Sequence, residues 1–140
     1  MRMHSLMIAS ALAIGLAIPA AAQQSMHRYM SLFKYSDQAI KAMTENPQDR
    51  AAAAAKLAEG FGGKLEVIYW FATGGEYDGM VIWQYPDDVT ADAANMMTRA
   101  TGNFANTRVI PLLTSQEFKA AMEKAKGVKS GYTAPTETKQ

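Results

Sequence analysis

The sequence predicts an α+β fold in which a four-stranded antiparallel sheet is backed by helices. Three observations point to it. Apolar and aromatic runs alternate with helix-forming runs in the order β-α-β-β-α-β-α, a glycine pair joins the two middle runs as a hairpin would, and 140 residues leave room for one compact domain. Hydrophobic residues make up 49% of the chain and charged ones 19%, a balance far from that of disordered polymers.

Each element has its own reason. Tyr29 to Tyr35 is aromatic and apolar and stops at Ser36-Asp37, which predicts a first strand running into a helix cap. A short helical piece, Gln38 to Thr44, breaks at Asn46-Pro47. That pair reads as a restart, with Asn46 as cap and Pro47 in the first turn. The alanine-rich run that follows forms helix readily, and Gly62-Gly63 ends it. Lys64 to Ala72 and Tyr77 to Tyr85 are rich in β-branched and aromatic residues and predict two antiparallel strands around Gly74-Gly75. Pro86-Asp87-Asp88 opens a helix to about Ala100, with Val89, Ala93, Met96, Met97 and Ala100 as its inward stripe. Phe104 to Leu113 is the last strand, and Thr114 to Glu117 is a capping box for a final helix carrying Phe118, Ala121, Met122 and Ala125 on one side.

This order is the split βαβ or ferredoxin-like arrangement, βαββαβ with an extra C-terminal helix, in which strands one and three are central. A two-residue Gly74-Gly75 turn sets the hairpin register. Leu65, Val67, Tyr69 and Phe71 then share one face with Asp78, Met80 and Ile82. Ile68, Trp70, Tyr77, Gly79, Val81, Trp83 and Tyr85 share the other. The aliphatic set is expected under the helices and the aromatic set on the open face, where a second identical sheet would cover it and make a homodimer.

The first 22 residues differ from the rest. A basic start at Arg2, an apolar stretch from Leu6 to Ile18 and Ala20-Ala21-Ala22 read as a secretory signal peptide, too short in its apolar part for a membrane span. The domain is expected over residues 26–126 and a flexible tail over 127–140. Export implies a periplasmic or secreted protein with no membrane attachment after cleavage. Loss of Arg2 lowers the 14 basic residues to 13, equal to the 13 acidic ones, so no attraction to nucleic acid is expected. With no cysteine in the chain, thiol chemistry and a cysteine-ligated metal are excluded.

A family resemblance rests on Tyr29-Met30-Ser31-Leu32, Ser36-Asp37-Gln38, Pro47, Gly62-Gly63-Lys64-Leu65, Gly75-Glu76-Tyr77-Asp78, Pro86-Asp87-Asp88 and Leu113-Thr114 through Glu117-Phe118. Taken together, from Tyr29 to Met122, these resemble the GYD-domain proteins. The chain departs from their pattern at Ala39 and in its tail, which lacks an arginine and a first proline before Pro135. The resemblance implies a dimeric α/β-barrel fold and carries over no catalytic residue.

Candidate chemistry is sparse. Glu76 and Asp78 stand two apart on a strand, so their carboxylates share a face and can serve acid/base work. Equally, Glu76 can be solvated at the turn while Asp78 accepts hydrogen bonds from backbone. His27, the single histidine beyond the signal segment, joins them as a catalytic candidate or is a surface residue. No metal site and no cofactor are expected from one histidine without cysteines. Trp70, Trp83, Tyr77, Tyr85 and Tyr29 can pack a dimer or line a pocket for a flat apolar ligand, and Trp70, Tyr77, Trp83 and Tyr29, with Gly79 leaving space opposite Trp70, are the binding candidates. The expected function is therefore a homodimer that binds a small apolar or aromatic molecule. The alternative is a cofactor-independent enzyme of the monooxygenase or isomerase type.

Overall fold

The computed structural model describes residues 25–129 and 131–132; the expected signal peptide and most of the expected tail lie outside the described residues. The elements are β1 (His27–Tyr35), α1 (Asp37–Glu45), α2 (Arg50–Gly60), β2 (Lys64–Trp70), β3 (Gly79–Tyr85), α3 (Asp88–Ala100), β4 (Phe104–Leu112) and α4 (Ser115–Gly127). All pairings are antiparallel and the strand order is β2-β3-β1-β4. This is the ferredoxin-like arrangement with β1 and β3 central and α4 added.

Side-chain caps start the helices where the sequence expects them, with one exception. Ser36 Oγ accepts from Ala39 N at 3.2 Å, Asp87 Oδ1 from Thr90 N at 2.7 Å, and Thr114 with Glu117 forms the capping box. The restart expected at Asn46-Pro47 instead falls at Asp49, whose Oδ1 accepts from Ala51 N and Ala52 N at 2.9 and 3.3 Å. The carboxylate satisfies two open N–H groups, and its charge, which an asparagine lacks, meets the positive end of the helix dipole. Pro47 stays in the connecting loop.

The hairpin register agrees with the sequence through the inner half of β2: Trp70 faces Gly79, Tyr69 faces Met80, Ile68 faces Val81 and Val67 faces Ile82. Gly74 and Gly75 carry the positive φ values, 69° and 138°, that the connection needs. The register then shifts between Leu65 and Val67, so Leu65 stands opposite Trp83. A one-residue bulge moves it to the other face from the one expected.

The faces themselves are reversed. Tyr29, Phe33, Val81 and Tyr85 are buried against Ala39, Ala58, Ala91 and Ala94 of the helices, so the aromatic face is the helix-covered one. The reason lies in β1. Arg28 and Lys34 share the face of Met30 and Leu32, and helices laid over that side would bury both cations away from water. The stripe expected on α3 is corrected with it: Val89, Met96 and Met97 point outward, and Ala91 and Ala94 point to the sheet.

The opposite face is aliphatic and open. Met30, Leu32, Met80, Ile82 and Ile110 are half-buried there by their strand neighbours. Arg28 pairs with Glu66 at 2.7 Å at one end, and Lys34 pairs with Asp78 at 3.0 Å at the other. Phe118 and Met122 of α4 stay more than half exposed, and α4 has no buried residue. Among the described residues no helix is long and apolar enough to cross a membrane.

Candidate functional site

Between the aromatic face and the helices lies a cavity of about 580 Å³. Its floor includes Phe33, Ile68, Val81, Trp83 and Tyr85, and its roof includes Ala53, Ala54 and Leu57 of α2 with Ala91 and Ala94 of α3. The local sequence explains the space. Residues 50, 53, 54 and 57 fall on one side of α2, and 91, 94, 95 and 98 on one side of α3. Half of these positions carry alanine, whose single methyl reaches too short a distance to fill the gap above the rings. The entrance is polar: Glu45, Asn46, Gln48, Thr101 and Asn103 line it and are exposed.

Polar groups along the cavity are mostly satisfied within the protein. Trp83 Nε1 donates to Ser31 Oγ at 2.8 Å, and Thr107 Oγ1 donates to Asn95 Oδ1 at 2.8 Å. Two groups are not satisfied. The Tyr85 hydroxyl and Arg50 Nε are buried atoms without a hydrogen-bond partner, and both residues line the cavity. Tyr85 is 2% exposed, and burial pushes its phenol up to about 12. It is a neutral donor throughout the physiological range.

The sequence-predicted site residues do not gather here. Trp83 lines the cavity, while Tyr29 packs beside it, 6.2 Å from Tyr85 between ring centres, and donates its hydroxyl to Asp88 Oδ1 at 2.7 Å. Burial first, and that hydrogen bond second, raise the Tyr29 phenol far above its usual range. Trp70, Tyr77 and Gly79 do not line the cavity; Trp70 is 45% exposed and meets Phe33 edge-on at 6.4 Å. Glu76 is exposed in the β2–β3 connection and His27 is exposed at the start of β1. Among the described residues no three His, Asp or Glu side chains come together as metal ligands would. Sequence reasoning counted Tyr85 among the aromatic residues that could line a pocket but missed Arg50 as a lining residue. The alanine spacing in α2 and α3, set against a strand face rich in aromatic rings, is the feature that could have revealed the space.

The GYD domain family model matches residues 29–122, well over half of the chain. The chain belongs to the GYD domain family. No curated protein matches it. Among solved structures the chain is similar to 30S ribosomal protein S6 from Thermotoga maritima, at 18% identity and a TM-score of 0.46, over 73% of this chain and 99% of that one.

The geometry also gives the GYD signature a structural task. Asp78 Oδ2 accepts from Tyr35 N at 2.9 Å and Oδ1 accepts from Lys34 Nζ at 3.0 Å, while Asp78 N donates to Phe33 O at 2.8 Å. Its side chain thus takes up the β1 N–H beside the place where the β1–β4 pairing shifts register. Partial burial pushes the carboxyl up, but the Tyr35 N–H and the Lys34 ammonium outweigh it, and the balance lies below the ordinary aspartate range. An acid held that low and doubly engaged is a poor general base near neutral pH. Gly79 follows because a Cβ there would press into the Tyr69 carbonyl oxygen and the Phe33 ring. Within the GYD domain, Asp78 and Gly79 therefore hold the end of the central strand pair, away from the cavity.

Proposed function

We propose that this GYD domain is an exported, homodimeric binding module that holds one small apolar or aromatic molecule per subunit between its sheet and its helices. The cavity of about 580 Å³ carries this reading, because it lies within the size range of pockets that hold small ligands and its exposed lining is mainly apolar. A well-packed domain of this size has no use for such a void, since unfilled space costs contacts on every side.

The second copy belongs on the aliphatic face. That face is an apolar strip bounded by the Arg28–Glu66 and Lys34–Asp78 pairs, the apolar centre and polar rim of an interface. The exposed Phe118 and Met122 on α4 would extend it across to the partner. Export through the N-terminal segment places the dimer in the periplasm or outside the cell. Native mass spectrometry of the processed protein tests the whole reading: it should show a dimer retaining or taking up one apolar molecule per subunit. A monomer that takes up none would contradict it.

A further inference from the structure

The cavity has polar groups beside its apolar lining. Tyr85 packs against Ala58 near the last turn of α2, whereas Arg50 is the first residue of that helix. Eight residues of α-helix separate the two positions, about 12 Å at 1.5 Å per residue. The cavity therefore extends along α2 between the exposed polar residues beside Arg50 and the buried Tyr85, with Ala53, Ala54 and Leu57 between. Each end holds a buried donor atom with no partner, the Tyr85 hydroxyl and Arg50 Nε. A buried donor left unsatisfied is costly, and groups of this kind occur where a bound molecule completes them.

Resting on the binding reading above, we infer that the ligand is an elongated apolar anion, with a neutral hydrogen-bond acceptor such as a ketone at Tyr85 and a carboxylate at Arg50. The order of the ends follows from the surroundings. The buried end is lined by rings and methyls, where a charge would lose its hydration without a counter-ion. The entrance offers a guanidinium and solvent.

Three probes of the same naphthalene body separate the claims: 2-ethylnaphthalene, 2-acetylnaphthalene and 6-acetyl-2-naphthoic acid, titrated against the processed protein by calorimetry. The acid should bind tightest and the hydrocarbon weakest. Tyr85→Phe should weaken both ketones about tenfold and leave the hydrocarbon unchanged, the size expected for one hydrogen bond. Arg50→Gln should weaken the acid alone. Tyr85→Phe removes only an unpartnered hydroxyl, so its melting temperature should equal or exceed the wild type, which guards against a folding defect. Equal loss for all three probes in either variant, or no loss for the ketones in Tyr85→Phe, overturns the inference and leaves an apolar binding module. Failure of all three probes, hydrocarbon included, overturns the binding reading with it.

Discussion

The two faces of one sheet are built from neighbouring residues and have opposite fates. Val81 and Ile82 are adjacent in β3, yet Val81 is 2% exposed beneath the helices and Ile82 sits on the open side. The covered face carries the rings and, above them, a space that the alanines of α2 and α3 leave unfilled. The open face carries aliphatic side chains held between two ion pairs. The size of the side chains does not decide which face is covered. The charges at Arg28 and Lys34 do, because they forbid one side to the helices.

The sharpest way to break this comparison is to place the same charge on each face. Val81→Asp should abolish cooperative folding, a loss of about 4 kcal/mol or more for an unpaired charge in the core. Ile82→Asp should keep the far-ultraviolet dichroism of the folded domain and instead halve the mass seen by light scattering. Comparable unfolding by both variants would erase the distinction between the faces.

Gly79→Ala should destabilise by about 1–3 kcal/mol in chemical denaturation, since the new methyl overpacks the Phe33 ring. A neutral result would mean that β3 can move away from Phe33. Ala54→Leu sharpens the account in the other direction. In a filled core the larger side chain would cost about 1–3 kcal/mol, whereas in an open chamber it should raise stability by about 1–2 kcal/mol and block ligand uptake.

The smallest effect is in alkali. The Tyr85 phenol is raised to about 12 by burial, so the folded state resists its ionisation while the unfolded chain ionises near pH 10. The stabilisation is complete below about pH 10 and is lost progressively as pH rises towards 12. Tyr85→Phe should flatten that part of the stability profile. At the acid end the sign reverses. The Asp78 carboxyl lies below its usual range, so its contribution holds at neutral pH and declines as pH falls through about 4.

Much of the fold was legible in the sequence because local chemistry determines it. The caps at Ser36, Asp87 and Thr114, and the pairing of Trp70 with Gly79 across the Gly74-Gly75 connection, all follow from short-range rules. The covering of the sheet was not read correctly, because both faces are apolar and packing alone cannot rank them. The β1 alternation of Arg28, Met30, Leu32 and Lys34 against Tyr29, Ser31, Phe33 and Tyr35 held the answer. The Leu65 bulge depends on how the strands meet, and no short-range pattern announces it, whereas the Asp49 cap is a local signal passed over in favour of Asn46-Pro47. As for the site, Trp83 and Tyr29 were assigned to binding from their aromatic character alone. Tyr85 was read with them, and Arg50 became visible only in the lining of the cavity.

Xenon enters dry apolar cavities and scatters strongly, so a crystal of the processed protein under xenon pressure tests the central claim most directly. Density between α2 and the Val81–Trp83 stretch of β3, with a second subunit on the Met80–Ile82 side, is the predicted result. Side chains closing that space with no xenon beneath α2, or helices lying over the aliphatic side, would contradict it.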